Sequence, residues 1–253
     1  MGESGMSLDR SRKHWEDMGD LDPYWAILTE PGTKHGKWDL EKFLGTGSDE
    51  IASLTDAAER LGLPKQHEWA LDFGCGVGRL TRAMAAHFHN VVGIDISQSM
   101  LSRACALNPP ANCEFLLNDS ESLPFPLGRF DLIYTALVLQ HVPSQDSIRR
   151  YIAEFVRVLK AGGLLVMQLP SYVPLRRRLQ ARPRIYALLR SAGLSERLLY
   201  RGLGLHPIPM NFLPESDVVS IIESSGGIVL ETAADQRAGP HIPGRIYYAS
   251  KNS

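Results

Sequence analysis

The chain of 253 residues is 44% hydrophobic and 22% charged with a formal net charge of −1, which suits one ordinary globular domain with an elaboration. That balance excludes a global electrostatic case for nucleic acid or membrane binding, and no apolar run approaches a membrane span. Cys75, Cys105 and Cys113 form no C-x-x-C pair, which argues against a disulfide framework or a zinc site; with a polar N-terminus they predict a cytoplasmic protein.

Residues 1–50 read as an arm outside the core pattern. Trp15, Tyr24, Trp25 and Trp38 fall there on a stretch of weak periodicity. Aromatic side chains cover area at low entropic cost, so the arm is read either as a lid over a substrate or as a segment packed on the core's flank. From Trp69 onward, strand-like and helix-like segments alternate, which predicts a doubly wound, mostly parallel α/β sheet. Strands are expected at Trp69–Phe73, Asn90–Ile94, Cys113–Leu117, Phe130–Thr135 and Gly163–Leu169. Helices are expected at Leu80–His87, Ser99–Leu107 and Ile148–Leu159, with a short turn at Ser120–Ser122. The run Lys160 to Gly163 reads as a helix stop.

Residues 171–212 interrupt the alternation. Eight arginines between Arg176 and Arg201 face a single acid, Glu196, and apolar residues recur at helical spacing. The insert reads as short basic amphipathic helices. They suit an anionic partner (a charged substrate, RNA, or lipid head groups through residues 171–201) or a solvated cap whose arginines pair with acids elsewhere. RNA is the weaker version, because no aromatic–basic platform accompanies the charge. A helix at Pro214–Ser225 and strands at Ile228–Thr232 and Arg245–Ser250 complete the chain.

The most specific signal is Asp72-x-Gly74-x-Gly76-x-Gly78, with Cys75 inside it, between an apolar strand and the helical face of Leu80, Met84 and Phe88. Glycines there let the backbone approach a ligand, and the following helix offers unpaired N–H groups; the plain alternative is a tight turn that packs helix on strand. Arg79 stands where a dinucleotide loop needs its third glycine, which disfavours a dehydrogenase, and no P-loop lysine follows. An acid at Asp72 suits a cofactor carrying positive charge. Asp95, ending the second strand roughly twenty residues on, suits ribose hydroxyls, or alternatively caps the next helix.

These motifs in this order resemble class I S-adenosylmethionine-dependent methyltransferases. The resemblance implies seven strands with the last antiparallel beside the fifth, one domain over residues 51–253, and residues 171–212 as a substrate cap. It implies S-adenosyl-L-methionine as cofactor, with Asp72 attracting its ammonium group and Arg79 its carboxylate. Asp119 would take the adenine amino group, flanked by Asn118 and Ser120; an Asp-Ser surface turn is the alternative. Ile96 and Met100 would flank the adenine or serve as plain core. Thr135, Gln140 and His141 fall in the segment that lies beside the transferred methyl. His141 is the candidate general base, and reads equally as a capping or packing histidine. Trp15, Tyr24, Trp25, Trp38 and His206 are the candidate substrate contacts. The expected activity is methyl transfer to an oxygen or nitrogen of a small molecule. The alternatives are an anionic, lipid-linked or macromolecular acceptor, and a non-catalytic cofactor-binding scaffold.

Overall fold

Short runs of consecutive apolar residues make strands buried on both faces, and helices must then cover both sides of the sheet they form. The computed structural model describes residues 8–174, 181–205, 208, 210–239 and 241–252. Three helices, α1 (Leu8–Leu21), α2 (Pro23–Ile27) and α3 (Leu40–Leu61), precede β1 (Trp69–Phe73). There follow α4 (Arg79–Met84), β2 (Asn90–Asp95), α5 (Gln98–Ala106), β3 (Cys113–Leu117), β4 (Phe130–Thr135), α6 (Gln145–Val158) and β5 (Leu159–Pro170). The remaining elements are α7 (Ala181–Ser191), α8 (Glu215–Ser224), β6 (Gly227–Asp235) and β7 (Gly244–Lys251).

The seven strands form one sheet in the order β3-β2-β1-β4-β5-β7-β6. The first five are parallel to one another, and β7 is antiparallel to both β5 and β6. This is the seven-stranded architecture expected, with the last strand in its expected place. Alternate residues of β1 face opposite layers. Leu71 and Phe73 pack with Phe155 and Ile152 of α6, whereas Ala70 packs with Leu80 and Met84 of α4 and Leu54 of α3. Phe155 is fully buried, so truncation to Ala should cost about 3–5 kcal/mol.

Several boundaries differ from expectation. The arm was expected to end at residue 50, but α3 runs unbroken through it, held by an Asp39 cap on the Lys42 N–H and a left-handed Gly62. The helix expected to reach His87 stops at Met84, and Ser120–Ser122 are bends rather than a helical turn. The Lys160–Gly163 stop lies inside β5 instead: Leu159 already pairs with Phe130, and the register shifts before Leu132 meets Leu164. Gly162 adopts φ 71° in this bulge, and Lys160 Nζ reaches Asp131 Oδ1 at 2.8 Å. Asp131 Oδ2 also accepts the N–H groups of Glu68 and Trp69, which pins the start of β1 beside β4.

Candidate functional site

At the carboxyl end of β1 the chain turns sharply. Gly74, Gly76 and Gly78 all have positive φ, at 75°, 55° and 78°. Space demands glycine as well: a Cβ on Gly74 would lie 2.5 Å from Val138, and one on Gly76 would lie 2.6 Å from Ile27. The N–H groups of Gly74 and Cys75 both donate to the Ile94 carbonyl, so β2 holds the loop open beside its own end. Asp95 completes the brace. Its Oδ2 accepts the Gly76 N–H at 2.8 Å and its Oδ1 accepts the Ser97 N–H at 2.9 Å. Ser97 is itself the N-cap of α5, accepting the Met100 N–H, so Asp95 spans the loop and the helix start rather than capping α5 directly.

Above this brace lies a cavity of about 1020 Å³, counted to its open mouth. Its polar wall includes Asp72, Gly74, Cys75, Gly76, Asp95 and Asn118, with Ile96 and Met100 beside them. Two carboxylates therefore meet one cavity. Burial pushes Asp72 up to about 6, against the Thr81 hydroxyl that donates to it at 2.6 Å. Burial likewise pushes Asp95 up to about 6, against its backbone donors. Neither carboxylate has an ion-pair partner among the described residues. Asn118 gives its N–H to the Asp95 carbonyl and its side-chain amide to the Ser120 carbonyl.

The arm builds the opposite wall. Leu8, Ser11 and Trp15 follow at helical spacing on α1 and line the cavity, joined by Ala26 and Ile27. A second face of α1 clamps α5: Glu16 accepts the N–H groups of Gln98 and Ser99 and the Ser97 hydroxyl, while Asp20 accepts the Ser99 hydroxyl at 2.6 Å. A third face meets the insert, where the Tyr186 hydroxyl reaches Asp17 at 3.3 Å and the His14 ring stands edge-on to Tyr186. The remaining wall is apolar and includes Leu137, Val138, Val142 and Pro143, with His141 among them. The His141 ring lies 5.8 Å from that of Trp15, and its Nε2 is 3.1 Å from the Gln140 amide nitrogen.

Several expected site residues lie elsewhere. Gly78 caps α4 behind the loop and packs on Phe115. Asp119 is on the surface, 4.0 Å from Arg12 of α1, because the strand end turns Asn118 rather than Asp119 toward the cavity. Ser120, Thr135 and Gln140 are outside the lining; Thr135 is buried and its hydroxyl has no partner among the described residues. Tyr24, Trp25 and Trp38 are packing residues of the arm. The Tyr24 ring lies tilted against Phe43 and that of Trp38 stands edge-on to it, Trp25 sits 5.7 Å from the Tyr200 ring, and the Trp38 indole donates to the Leu28 carbonyl. His206 and Arg176, Arg177 and Arg178 lie outside the described residues.

Arg79 lines the cavity, but its charge is already engaged. Its Nη2 donates to Glu50 Oε2 at 2.7 Å, with both side chains mostly buried. Glu50 also accepts from the Tyr134 hydroxyl and from Arg237. Burial would raise Glu50, and these donors more than offset it, holding it below its usual range. From Arg237 the chain of bonds continues to Asp235, Gln168 and finally the Leu137 N–H, which Gln168 Oε1 accepts at 3.0 Å. Leu137 has φ 62°, a left-handed conformation that an isolated leucine avoids and this bond helps to fix. Sequence reasoning missed Glu16, Glu50, Gln168 and Arg237. They lie far along the chain from the residues they hold, and no local pattern marks them.

Residues 71–167 match the profile described as a methyltransferase domain. The chain is 29% identical over 167 residues to the 2-methyl-6-phytyl-1,4-hydroquinone methyltransferase of Synechocystis sp., covering 65% of this chain and 51% of that protein. It is 28% identical over 165 residues to the ubiquinone biosynthesis O-methyltransferase of Chelativorans sp., covering 62% and 64%. The chain thus spans about half the length of the first of these curated relatives and under two thirds of the second. Its fold is like that of magnesium protoporphyrin IX methyltransferase from Synechocystis PCC 6803 solved with bound SAM, with a TM-score of 0.61, 17% identity and 100% of both chains covered.

Proposed function

We propose that the protein is a class I S-adenosylmethionine-dependent methyltransferase that methylates a hydroxyl of a small, largely apolar acceptor, a reading supported by the methyltransferase-domain match over residues 71–167. The observation that carries this reading is the cavity's two-sided character. The buried Asp72 and the half-buried Asp95, neither with an ion-pair partner among the described residues, line one part of it, and Leu8, Trp15, Ile27, Leu137, Val138 and Val142 line the rest.

The residues fit the cofactor. A sulfonium and an ammonium bring the positive charge that Asp72 and Asp95 lack, and ribose hydroxyls can donate to the second lone pairs of Asp95. Asn118, which lines the cavity where Asp119 does not, would read the adenine, with Ile96 and Met100 beside it. Arg79 acts by fixing Glu50 and the loop, rather than as a free cation for the cofactor's carboxylate. When bound, S-adenosylmethionine supplies an activated methyl group.

The protein's own share is to bring the acceptor oxygen in line at about 3–3.5 Å and to exclude water. The α1 wall and the apolar residues of the β4–α6 segment do both. His141 stands in that wall and accepts the acceptor's hydroxyl proton as the oxygen becomes a nucleophile. The name of the first relative specifies a phytyl hydroquinone, which supports an apolar ring compound as the acceptor, and that of the second an O-methyltransferase of ubiquinone biosynthesis, which supports oxygen as the methylated atom.

The test is calorimetric binding of S-adenosylhomocysteine, followed by methyl transfer to a panel of alkylated hydroquinones, polar catechols and amines. Turnover on the hydroquinones above the other two classes is expected. Absent cofactor-product binding overturns the methyltransferase reading; binding with preference for polar catechols or amines overturns the acceptor class.

A further inference from the structure

The insert carries a surface that the cavity does not use. Residues 181–205 hold five arginines and one acid in a chain whose net charge is −1. The acid, Glu196, is taken by Arg190. Arg182, Arg184, Arg197 and Arg201 are exposed and form no ion pair among the described residues, so the solvated-cap alternative, which needs their charges paired elsewhere, finds no support there. Interleaved with them are four exposed aliphatic side chains, Ile185, Leu188, Leu198 and Leu203, with Leu188 at 69% exposure. On α7 the buried Tyr186 marks the inward side; helical spacing turns Arg184 and Leu188 away from it and sets Ile185 about a quarter-turn round, with Arg182 at the edge between Ile185 and Tyr186. The turn Leu198–Gly202 packs against α7 with Leu199 and Tyr200 buried, so Leu198 and Arg201 extend the same outward surface.

We infer that this surface docks the protein on an anionic lipid bilayer. An interface of arginines around protruding aliphatics matches anionic head groups over acyl chains, since the cations stay in the head-group layer while the leucines enter the boundary below it. Single-stranded RNA wants exposed aromatic platforms between the cations, and within residues 181–205 the exposed large residues are aliphatic while Tyr186 and Tyr200 are buried. No helix among the described residues is long and apolar enough to cross a membrane, so contact through this surface is peripheral. The surface also lies where delivery is short. One face of α1 holds Tyr186 of α7 through His14 and Asp17, and another face of the same helix lines the cavity. A single helix therefore separates the bilayer-facing patch from the site. The inference deepens the proposed function and rests on it in one respect: an apolar acceptor resides in the bilayer the protein would touch.

Flotation of the full chain with phosphatidylcholine vesicles, with and without phosphatidylglycerol, tests the docking. Binding to the anionic vesicles is expected to exceed binding to the neutral ones by at least about ten-fold, and to weaken as salt is raised. Arg182→Glu with Arg184→Glu should reduce anionic binding by at least about 20-fold. Ile185→Ser with Leu188→Ser should reduce it about ten-fold at unchanged charge. Both variants should bind S-adenosylhomocysteine like the parent, which also certifies their folding. Failure to float with anionic vesicles overturns the inference, as does binding that neither pair of changes alters. Preferential binding of RNA in competition, indifferent to the Ile185 and Leu188 changes, overturns it as well. Loss of S-adenosylhomocysteine binding in the parent would overturn the methyltransferase reading instead, leaving the vesicle result to stand alone.

Discussion

Asp72 gives the most direct handle on why this cavity is built as it is. Its carboxyl is fully buried beside the glycine loop and is pushed from 3.8 to about 6, chiefly by burial. The cost of that arrangement is about 3 kcal/mol when both folded and unfolded chains are ionised. Below 3.8 the group is protonated in both states and costs nothing. The cost grows as pH rises from there to about 6 and is complete above it. Asp72→Asn keeps the volume and an acceptor for the Thr81 hydroxyl while removing the charge. Relative to the parent, the ligand-free variant should therefore gain about 3 kcal/mol between about pH 4 and about pH 8. For a chain of this size the gap in Tm should widen by roughly 6–12 °C over that range. Thermal melts by circular dichroism at a series of pH values measure it, and S-adenosylhomocysteine titration of the same samples should show weaker binding. A Tm gap that stays flat with pH, or unchanged affinity, would refute a destabilising charge kept for the cofactor.

Other residues separate binding from architecture. Asp95→Ala removes two charge-assisted backbone bonds together with the ribose contact, and should weaken S-adenosylhomocysteine about 100-fold or more by calorimetry; parent-like affinity would take Asp95 out of the site. His141→Ala should lower turnover about 100-fold while leaving cofactor affinity near that of the parent. Equal turnover would make it a wall residue only. Glu16→Ala strips the arm's acceptor from the start of α5, costing about 1 kcal/mol and speeding limited proteolysis within residues 8–27. An unchanged cleavage rate would show that the arm is held by its apolar face alone.

The order of strands and the glycine loop were legible because they rest on local signals: runs of apolar residues, turn glycines, and an acid at a strand end. Asp72, Gly74, Gly76, Asp95 and Asn118 accordingly meet at one cavity. The departures share one physical cause, tertiary pairing. Arg79 reads as a free cation until α3 brings Glu50 to it across the loop. Three aromatics of the arm read as a binding wall because their exposure depends on how the arm folds back on its own Phe43 and on Tyr200, which reaches them from far along the chain. Asp119 and Asn118 differ by one residue, and only the turn after β3 decides which of them looks inward. The Lys160–Gly163 signal was read as a stop, whereas its glycines serve a bulge whose need is set by the partner strand β4.

The start of α5 receives two carboxylates at once, Asp95 from the loop and Glu16 from the arm, and their negative charges oppose one another. Whatever draws charge from Asp95 on its cavity side relieves Glu16 on the other. Cofactor and arm are then ligands of one helix end, and their affinities are thermodynamically linked. Occupancy below should tighten the arm above, and a tight arm should raise the cofactor's affinity by the same free energy.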